Sequence, residues 1–284
     1  MIARRWESLS WPEVAELDGN EVGLVPVGAT EQHGPHLPTG TDTIIATAVC
    51  EGASARTGAP VLPALSLAGS YGHGTVLPGT LSLSPELFAG VVRQVAEWAA
   101  TSGLHRLLFV NAHFGNGAAL GIATDHLRLF RPDLQVGFVH WWELDPEVGA
   151  AMVIDGDDIH ANRGETSMMM AVAPNLVRTD QLEHADDPDR TAGLVFRYTA
   201  PALSTNGVTG RPSEATATLG AELFDKTVTA LALQVERGRA EEPPLGRAPV
   251  AALSTPDGTA GVVSPPTPIG CAEAITQGPS SWTP

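Results

Sequence analysis

The segment from Gly28 to Asp42, GATEQHGPHLPTGTD, concentrates side chains that bind metal ions in proteins. It holds Glu31, His33 and Asp42, and it contains no Lys or Arg that could pair with the carboxylates. Imidazole and carboxylate ligands without a thiolate suit Zn²⁺, Mn²⁺ or Fe²⁺. A divalent cation would hold these acceptors together, which explains why the segment needs no cationic side chain. The segment therefore predicts a metal site.

Two further segments carry side chains of the same kind. His113 lies in FVNAHFGNG, and His160 and Glu165 lie in DDIHANRGETS. Each segment lies at the end of an apolar run or at the start of a helical pattern. Because ligands of open parallel sheets bind outside the carboxyl ends of the strands, we expect the three segments to meet at one edge of a sheet.

Each segment taken alone also has a structural interpretation. A Glu or His in a Gly/Pro-rich loop is usually at the surface or hydrogen bonded, and the E-x-H spacing alone is a weak signal. NAHFGNG could be only a tight turn with Asn116 capping a helix, and ETSMMM only a helix start followed by a Met-rich core face. Their joint occurrence at strand-to-helix junctions is what favours metal chemistry.

Short apolar runs alternate with longer helical patterns along the chain, which predicts βαβ units and a largely parallel sheet covered on both faces. The predicted strands are 21–28, 59–65, 105–113 and 134–142. The predicted helices are 43–56, with Asp42 as N-cap, 84–103, with Ser84 as N-cap, 115–130, 164–177 and 214–238.

Composition limits the possible functions. The chain has 284 residues, is 43% hydrophobic and carries a formal charge of −16, which fits one large α/β domain and opposes nucleic acid or an anionic membrane surface as partners. Cys50 and Cys271 form no C-x-x-C pattern, and no apolar run suits a signal peptide or a membrane span. We therefore expect a cytoplasmic protein with no thiolate metal site.

The C-terminal part differs in composition from the rest. Residues 239–284 contain nine of the 23 prolines and show little periodicity. We predict a catalytic domain over 1–238 and a Pro-rich, irregular or disordered tail over 239–284.

The ordered motifs resemble the signature of the creatininase family of metal-dependent amidohydrolases. They are VPVGATEQHGPHLPTGTD, LPGTLSL (77–83), FVNAHFGN, DIHANRGETS and GVTGRPSEATATLGAELF (207–224), and the match covers roughly residues 5–235. The resemblance implies a doubly wound α/β fold, a site for two divalent metal ions in each subunit, and a homo-oligomer, often a hexamer built as a trimer of dimers.

The resemblance also implies ligand roles. Glu31 and His113 match ligands of the first metal, His33 matches a ligand of the second, and Asp42 matches the carboxylate that bridges both. Creatininase itself has a glutamate ligand two residues after the histidine that His113 matches, but this chain has Gly115 there. The HGGN-like pattern around Gly115 is that of many other family members.

Glu165 is the best replacement for the missing ligand, because it is the remaining matched acidic residue. His160 matches a family histidine near the substrate, where an imidazole could shuttle a proton, so we count His160 and Glu165 as the catalytic residues. Gly115, Asn116 and Trp142 are the candidates for substrate binding. A second tryptophan expected before DIH is missing, which indicates that the creatinine pocket is not preserved.

The expected chemistry is hydrolysis of a C–N amide bond, cyclic or linear, in a small molecule. Two metal ions about 3.5–4 Å apart would generate a metal-bound hydroxide and polarise the carbonyl, so no Ser or Cys nucleophile is required. One alternative is a peptidase acting on a small precursor peptide, because the family includes the mycofactocin precursor peptidase, whose pattern is closer to this chain. Another is a catalytically inactive interaction protein. A phosphoesterase is disfavoured, because Arg56 is the only Lys or Arg between residues 22 and 90.

Overall fold

A computed structural model describes residues 2–74, 76–244 and 246 of the chain. The core element is a five-stranded sheet in the order β1-β3-β2-β4-β5, and every neighbouring pair of its strands is parallel. The strands are β1 (Arg4–Arg5), β2 (Val22–Val27), β3 (Pro60–Val61), β4 (Arg106–Asn111) and β5 (Gln135–His140).

Helices cover both faces of the sheet. The longer ones are α2 (Thr41–Thr57), α3 (Pro85–Thr101), α4 (Gly117–Phe130), α6 (Arg163–Val172) and α8 (Ala217–Ala240). The shorter ones are α1 (Trp11–Ala15), α5 (Pro146–Met152) and α7 (Ala200–Leu203). Helices α2, α5, α6 and α8 lie on one face and α3 and α4 on the other, which confirms the predicted doubly wound α/β class.

The central strand β2 shows why its sequence is apolar without alternation. Leu24 packs into the core under α2 and α8, whereas Val25 and Val27 pack into the core under α3 and α4. Successive side chains of a strand point to opposite faces, so both sets must be hydrophobic when helices cover both faces. All six residues of β2 are buried.

The carboxyl ends of the neighbouring strands β2 and β4 form the topological switch point of the sheet. From β2 the chain passes through α2 to β3 on one side, while β4 pairs with β2 on the other side. The loops after β2 and β4 therefore leave in opposite directions and open a crevice between them. Gly28 closes the end of β2 against α2, because an added Cβ would lie 2.3 Å from the backbone nitrogen of Thr43.

Two predicted elements differ in extent for a backbone reason. The predicted strand 59–65 pairs regularly only over Pro60–Val61, because Pro60 and Pro63 have no N–H to donate. Leu62 and Leu65 still donate individually to the carbonyls of β2. The predicted helix 164–177 ends at Val172, and a 3₁₀ turn at Pro174–Leu176 follows because proline cannot continue the helix.

Three helix starts also differ from the predicted ones. Helix α2 begins at Thr41 with Gly40 as N-cap, so Asp42 lies in its first turn and is not the cap. Residues 114–116 form a 3₁₀ turn before α4, and α8 begins after Thr216, whose side chain accepts from Leu219 N–H. The predicted Ser84 cap is confirmed, because its side chain accepts from Leu87 N–H.

The predicted tail lies almost entirely outside the described residues. Helix α8 reaches Ala240, two residues beyond the predicted domain end. The Arg106 guanidinium donates to the carbonyls of Gly238 and Glu241 at 2.5 and 2.8 Å, which ties the end of α8 to the start of β4. Among the described residues no helix has both the length and the apolar character of a membrane span.

We predict that a chain ending after Pro244 keeps its fold and its activity. This cut retains both carbonyl contacts of Arg106, whereas a cut before Glu241 would remove the one to Glu241. Thermal melting, size-exclusion mass and metal content of the shortened chain should equal those of the whole protein. A lower melting temperature or a smaller assembly would instead assign a structural role to residues 245–284.

Candidate metal centre

Five of the residues singled out from the sequence meet at the switch point of the sheet. Glu31 and His33 lie on the loop after β2, Asp42 in the first turn of α2, His113 directly after β4, and Glu165 in the first turn of α6. All five side chains are buried. The parallel strands thus bring together residues that are up to 134 positions apart in the chain (165 − 31).

Asp42 stands between two imidazoles. Its Oδ1 lies 2.9 Å from His33 Nε2, and its Oδ2 lies 3.4 Å from His113 Nδ1. Glu31 Oε1 lies 3.2 Å from the same nitrogen of His113. Each carboxylate oxygen of Asp42 therefore faces a different histidine, as a carboxylate shared between two metal ions requires.

Several of these close atoms lack a hydrogen bond. Both oxygens of Glu31, His33 Nε2 and Asp42 Oδ2 are buried without a hydrogen-bond partner within the described part of the chain. Burying a charged or polar group without a partner costs several kcal/mol, roughly 2–7 for a neutral group. Converging acceptors that are close to one another but not bonded fit a divalent cation, which accepts lone pairs from all of them.

Backbone carbonyls orient both histidines toward the carboxylates. His33 Nδ1 lies 3.1 Å from the carbonyl oxygen of Glu31, and His113 Nε2 lies 3.0 Å from that of Gly69. A carbonyl can only accept, so each of these nitrogens carries the proton. When the ring is neutral, the other nitrogen of each histidine therefore directs its lone pair at Asp42, as metal-binding histidines do.

In the metal-free site, neighbouring side chains of opposite charge strongly shift one another's pKa values. Burial disfavours the charged form of His33, but the adjacent Asp42 outweighs it and raises the pKa of His33 to about 10. Burial is likewise outweighed at His113, where the charge of Glu31 raises the pKa to about 9. Burial would raise the pKa of Glu31, but His113 holds it well below its usual range.

Glu165 is held by the turn that precedes α6. Its Oε2 accepts from Ala161 N–H at 2.5 Å, and its own N–H donates to the N-cap side chain of Asn162 at 3.1 Å. Ala161 has a φ of +52°, a left-handed conformation that costs energy for a residue other than glycine and aims its N–H at Glu165. Burial raises the pKa of Glu165 to about 8, against the opposing charge of His33.

His160 lies beside the carboxylate of Glu31. Its Nδ1 is 3.3 Å from Glu31 Oε1, and its ring centroid is 4.6 Å from that of His33. Burial lowers its pKa, although Glu31 acts in the opposite direction. His160 is thus a buried imidazole that also reaches the cavity above the site.

His73 also lies at the site, although no sequence pattern predicted it there. It lies in a 3₁₀ turn at Tyr71–His73, its ring centroid is 4.2 Å from that of His160, and its Nε2 is 3.9 Å from Glu31 Oε2. Burial lowers the pKa of His73 to about 3. The only signal was its position four residues before the LPGTLSL motif, which by itself indicates no role.

Three overlapping groups of described residues place potential ligand atoms within 4.8 Å of one another. The groups are Glu31, His33 and Asp42; His33, His160 and Glu165; and Glu31, His73 and His160. Together they contain more ligand atoms than one ion needs.

Gly115 lines the cavity, and its role in substrate binding stays a prediction. An added Cβ at Gly115 would lie 2.5 Å from His113 Nε2 and 2.8 Å from the carbonyl oxygen of Gly69. A side chain there would break the hydrogen bond that orients His113. This position therefore has no room for a glutamate ligand.

The structure does not bring Asn116 or Trp142 to the cavity wall. Asn116 is fully buried and bonds to Gly69 N–H and the Gly28 carbonyl, so it fastens the loops around the site. Trp142 is buried, stacks on His140 and lies behind Phe114, which does line the cavity. The chain turns inward after β5 and buries Trp142, so its role in substrate binding stays a prediction.

A cavity of about 430 Å³ opens above these residues. Its floor is polar and includes Glu31, His73, His113 and His160. Its rim is segment 191–203, which is irregular up to the short helix α7, and the rim side chains that line the cavity are Thr191, Leu194, Phe196, Arg197, Tyr198 and Leu203. Arg197 is the only Lys or Arg among the described residues of the lining.

The fold is an α/β fold with a parallel sheet, and buried imidazoles and carboxylates converge at its switch point. Together they place the chain among α/β proteins with a candidate metal centre. Comparisons with known proteins give the family. The family model described as creatinine amidohydrolase matches residues 7–235. The chain belongs to the creatininase family and is thus a hydrolase that acts on C–N amide bonds.

The relatives in this family carry two different names, peptidase and creatinine amidohydrolase. The mycofactocin precursor peptide peptidase of Mycolicibacterium smegmatis is 35% identical over 227 residues, which cover 75% of this chain and 84% of the relative. The creatinine amidohydrolase of Pseudomonas putida is 32% identical over 200 residues, covering 64% and 76%. A solved creatininase of the Zn-Zn type superposes with a TM-score of 0.75 at 28% identity, covering 85% of this chain and 100% of that one.

Proposed function

We propose that this chain hydrolyses an amide bond at a dinuclear metal centre bridged by Asp42. The observation that carries the proposal is the placement of the two Asp42 oxygens against two different imidazoles, at 2.9 and 3.4 Å. Glu31 and His113 would complete the first metal position, and His33 and Glu165 the second. Five ligands exceed the three or four that a single ion takes.

The residues fit hard or borderline divalent ions. Three carboxylates and two imidazoles without a thiolate suit Zn²⁺, Mn²⁺ or Fe²⁺. Solved creatininases of a Zn-Zn type and with Mn support the first two for this chain. When bound, two such ions would lower the pKa of a water molecule and polarise the carbonyl oxygen of the substrate.

The protein's own groups would position the reactants and move the proton. The leaving nitrogen of an amide needs a proton, and His160 borders the cavity with its Nδ1 beside Glu31 Oε1. We assign this proton transfer to His160 Nδ1. Gly115, Glu31 and His113 line the same part of the cavity, and the glycine leaves His113 its hydrogen bond to the Gly69 carbonyl.

A peptide is the second candidate substrate, and the rim of the cavity favours it. Leu194, Phe196 and Tyr198 line the cavity yet are 46%, 72% and 53% exposed, which provides apolar contacts for side chains next to the cleaved bond. Arg197, between them, suits a carboxylate of the substrate. The peptidase relatives support the same choice.

Metal analysis followed by a substrate screen tests the proposal. The purified protein, reconstituted with Zn²⁺ or Mn²⁺, should hold close to two ions per chain. The screen uses creatinine and other lactams, formamides and short peptides. Metal content near zero after reconstitution, or two bound ions with no amide hydrolysed, would refute the dinuclear hydrolase.

The contribution of the rim can be tested with two neighbouring residues. Phe196 lines the cavity, whereas the adjacent Val195 is 88% exposed and does not belong to its lining. For a peptide substrate, Phe196→Ala should raise KM several-fold with kcat nearly unchanged, because truncating a contact made equally in the ground and transition states affects binding alone. Val195→Ala should leave both constants unchanged. Equal effects of the two variants would exclude the rim as a peptide site.

The predicted assembly and location stay proposals. We propose a homo-oligomer, a hexamer built as a trimer of dimers, in the cytoplasm. Exposed Trp98 on α3, and Ile122 and Leu129 on α4, support an association surface, and buried, free Cys50 is compatible with a reducing compartment. Light scattering of the purified protein gives the number of subunits directly.

A further inference from the structure

Gln32 lies between two predicted metal ligands in the sequence, but its side chain bonds elsewhere. The side chain is buried, and its amide nitrogen lies 2.9 Å from His160 Nε2 and 3.1 Å from His73 Nδ1. The two imidazoles belong to segments 41 and 128 residues away in the chain. One amide therefore contacts both of the described cavity-lining histidines that lie outside the ligand set.

Two backbone groups fix the orientation of this amide. Gln32 Oε1 accepts from Gly34 N–H at 3.0 Å, and Gln32 Nε2 donates to the Gly207 carbonyl at 3.1 Å. A flipped amide would set two acceptors against each other at Gly207 and two donors against each other at Gly34. The amide nitrogen must therefore face the histidines.

The proton positions of both imidazoles follow from this orientation. An amide nitrogen only donates, so a ring N–H pointed at it from 2.9 or 3.1 Å would set donor against donor. His160 Nε2 and His73 Nδ1 must therefore both face the amide with a lone pair, and the two amide hydrogens are shared among these nitrogens and the Gly207 carbonyl. Each ring then carries its single proton on the other nitrogen, which faces Glu31: His160 Nδ1 at 3.3 Å and His73 Nε2 at 3.9 Å.

We propose that Gln32 is a positioning residue that sets the tautomers of His160 and His73. Both rings thereby keep an N–H directed at Glu31 and the floor of the cavity, where it can donate to a carboxylate or to a substrate oxygen. Neither ring has a free lone pair for a metal ion, because one nitrogen accepts from Gln32 and the other is protonated.

The proposed tautomers show which of the clustered residues can bind a metal ion and which cannot. Two of the three clusters of potential ligands include His160, and the tautomer removes it from both. The remaining ligands are Glu31, His33, Asp42, His113 and Glu165. The inference refines the proposed function, but it rests on hydrogen-bond geometry alone and holds even if the substrate class proves different.

Nuclear magnetic resonance of the zinc-loaded protein tests the proposal without an activity assay. Long-range ¹H–¹⁵N correlation of ¹⁵N-histidine distinguishes the two neutral tautomers, and His160→Gln and His73→Gln assign the signals by their loss. We expect Nδ1–H for His160 and Nε2–H for His73. A His160 proton on Nε2, or a His160 nitrogen bonded to the metal, would overturn the proposal.

Gln32→Glu then tests the cause, because it keeps the shape but replaces the donating nitrogen with an acceptor. His160 should gain a proton at Nε2, and activity should fall by about 10–100-fold, the usual effect of changing a group that orients active-site residues. The metal content should stay constant and the pH profile of kcat should shift. An unchanged His160 tautomer in this variant would contradict the assigned cause.

Matched variants keep the result interpretable. Gln94→Glu makes the same chemical change at an exposed position of α3. It should alter neither the histidine signals nor the activity. Gln32→Met removes the hydrogen bonds without adding charge, and it serves if Gln32→Glu does not fold. The expected tautomers in a protein that hydrolyses no amide would refute the proposed function and leave the role of Gln32 intact.

Discussion

Asp42→Asn is expected to reduce the amide-hydrolysing activity by more than about 100-fold, the upper end of the effect of losing a group that only orients a metal ligand. The two oxygens of Asp42 face two different histidines, His33 and His113. An asparagine keeps one oxygen but replaces the other with a nitrogen that donates and cannot bind a cation. Both metal positions would lose a ligand from a single substitution.

Comparison with other ligand variants and with a distant aspartate makes this test specific. His33→Gln and Glu165→Gln each affect one metal position, so the metal content should fall toward one ion per chain, whereas Asp42→Asn should lower it further. Asp225→Asn makes the same change on α8, where Asp225 pairs with Arg56 at an exposed site, and should behave as wild type. Near-normal activity of Asp42→Asn would exclude a bridging role.

The sequence predicted the fold class and the residues that meet at the sheet edge for one physical reason. Parallel strands end at a common edge, so side chains placed just after them converge without knowledge of the loops. Glu31, His33 and His113 follow strands directly, and Asp42 lies at the start of the next helix. Their convergence required only the correct order of strands and helices.

The contacts that the sequence did not reveal depend on irregular segments. His73 lies in a 3₁₀ turn, and Gln32 bonds to Gly207, which is 175 residues away and lies in neither a helix nor a strand of the sheet. No periodicity indicates where such segments pack. Their placement follows from tertiary contacts, which a single sequence does not display.

Trp142 shows the same limit at the end of a strand. A tryptophan at the carboxyl end of β5 satisfies the pattern of a pocket wall as well as that of a core residue. The 3₁₀ turn at Trp141–Glu143 decides between them by burying both tryptophans, and Phe114 takes the place at the cavity. The direction in which a chain leaves a strand was not predictable from the residue types.

Removal of the metal ions is expected to abolish activity and to make stability depend on pH. In the metal-free chain the pKa values of His33 and His113 are raised from 6.5 to about 10 and about 9. A folded-state pKa above the unfolded value stabilises the fold fully below pH 6.5, and this stabilisation is lost as the pH rises through 9 to 10. Glu165, raised from 4.5 to about 8, acts in the same direction over a lower range.

Bound ions should reverse this dependence, because the ligands bind metal only after losing their protons. The melting temperature of the metal-free protein should fall from pH 6.5 to pH 9, while the difference between loaded and metal-free protein should grow. At free Zn²⁺ about 1,000 times its Kd, the stabilisation is about 4 kcal/mol. At about 2–4 °C per kcal/mol for a chain of this size, the melting temperature should rise by about 8–16 °C.

The measurement is thermal melting of chelator-treated protein at pH 6, 7.5 and 9, with and without added Zn²⁺ or Mn²⁺, beside an activity assay of the same samples. Asp42→Asn supplies the control, since a chain without the bridging carboxylate should gain little from added metal at any pH. Activity that survives thorough chelation would contradict a metal-dependent reaction. A metal-induced rise in melting temperature that is equal at pH 6 and pH 9 would show that His33 and His113 release no protons on binding, and therefore that they are not the ligands.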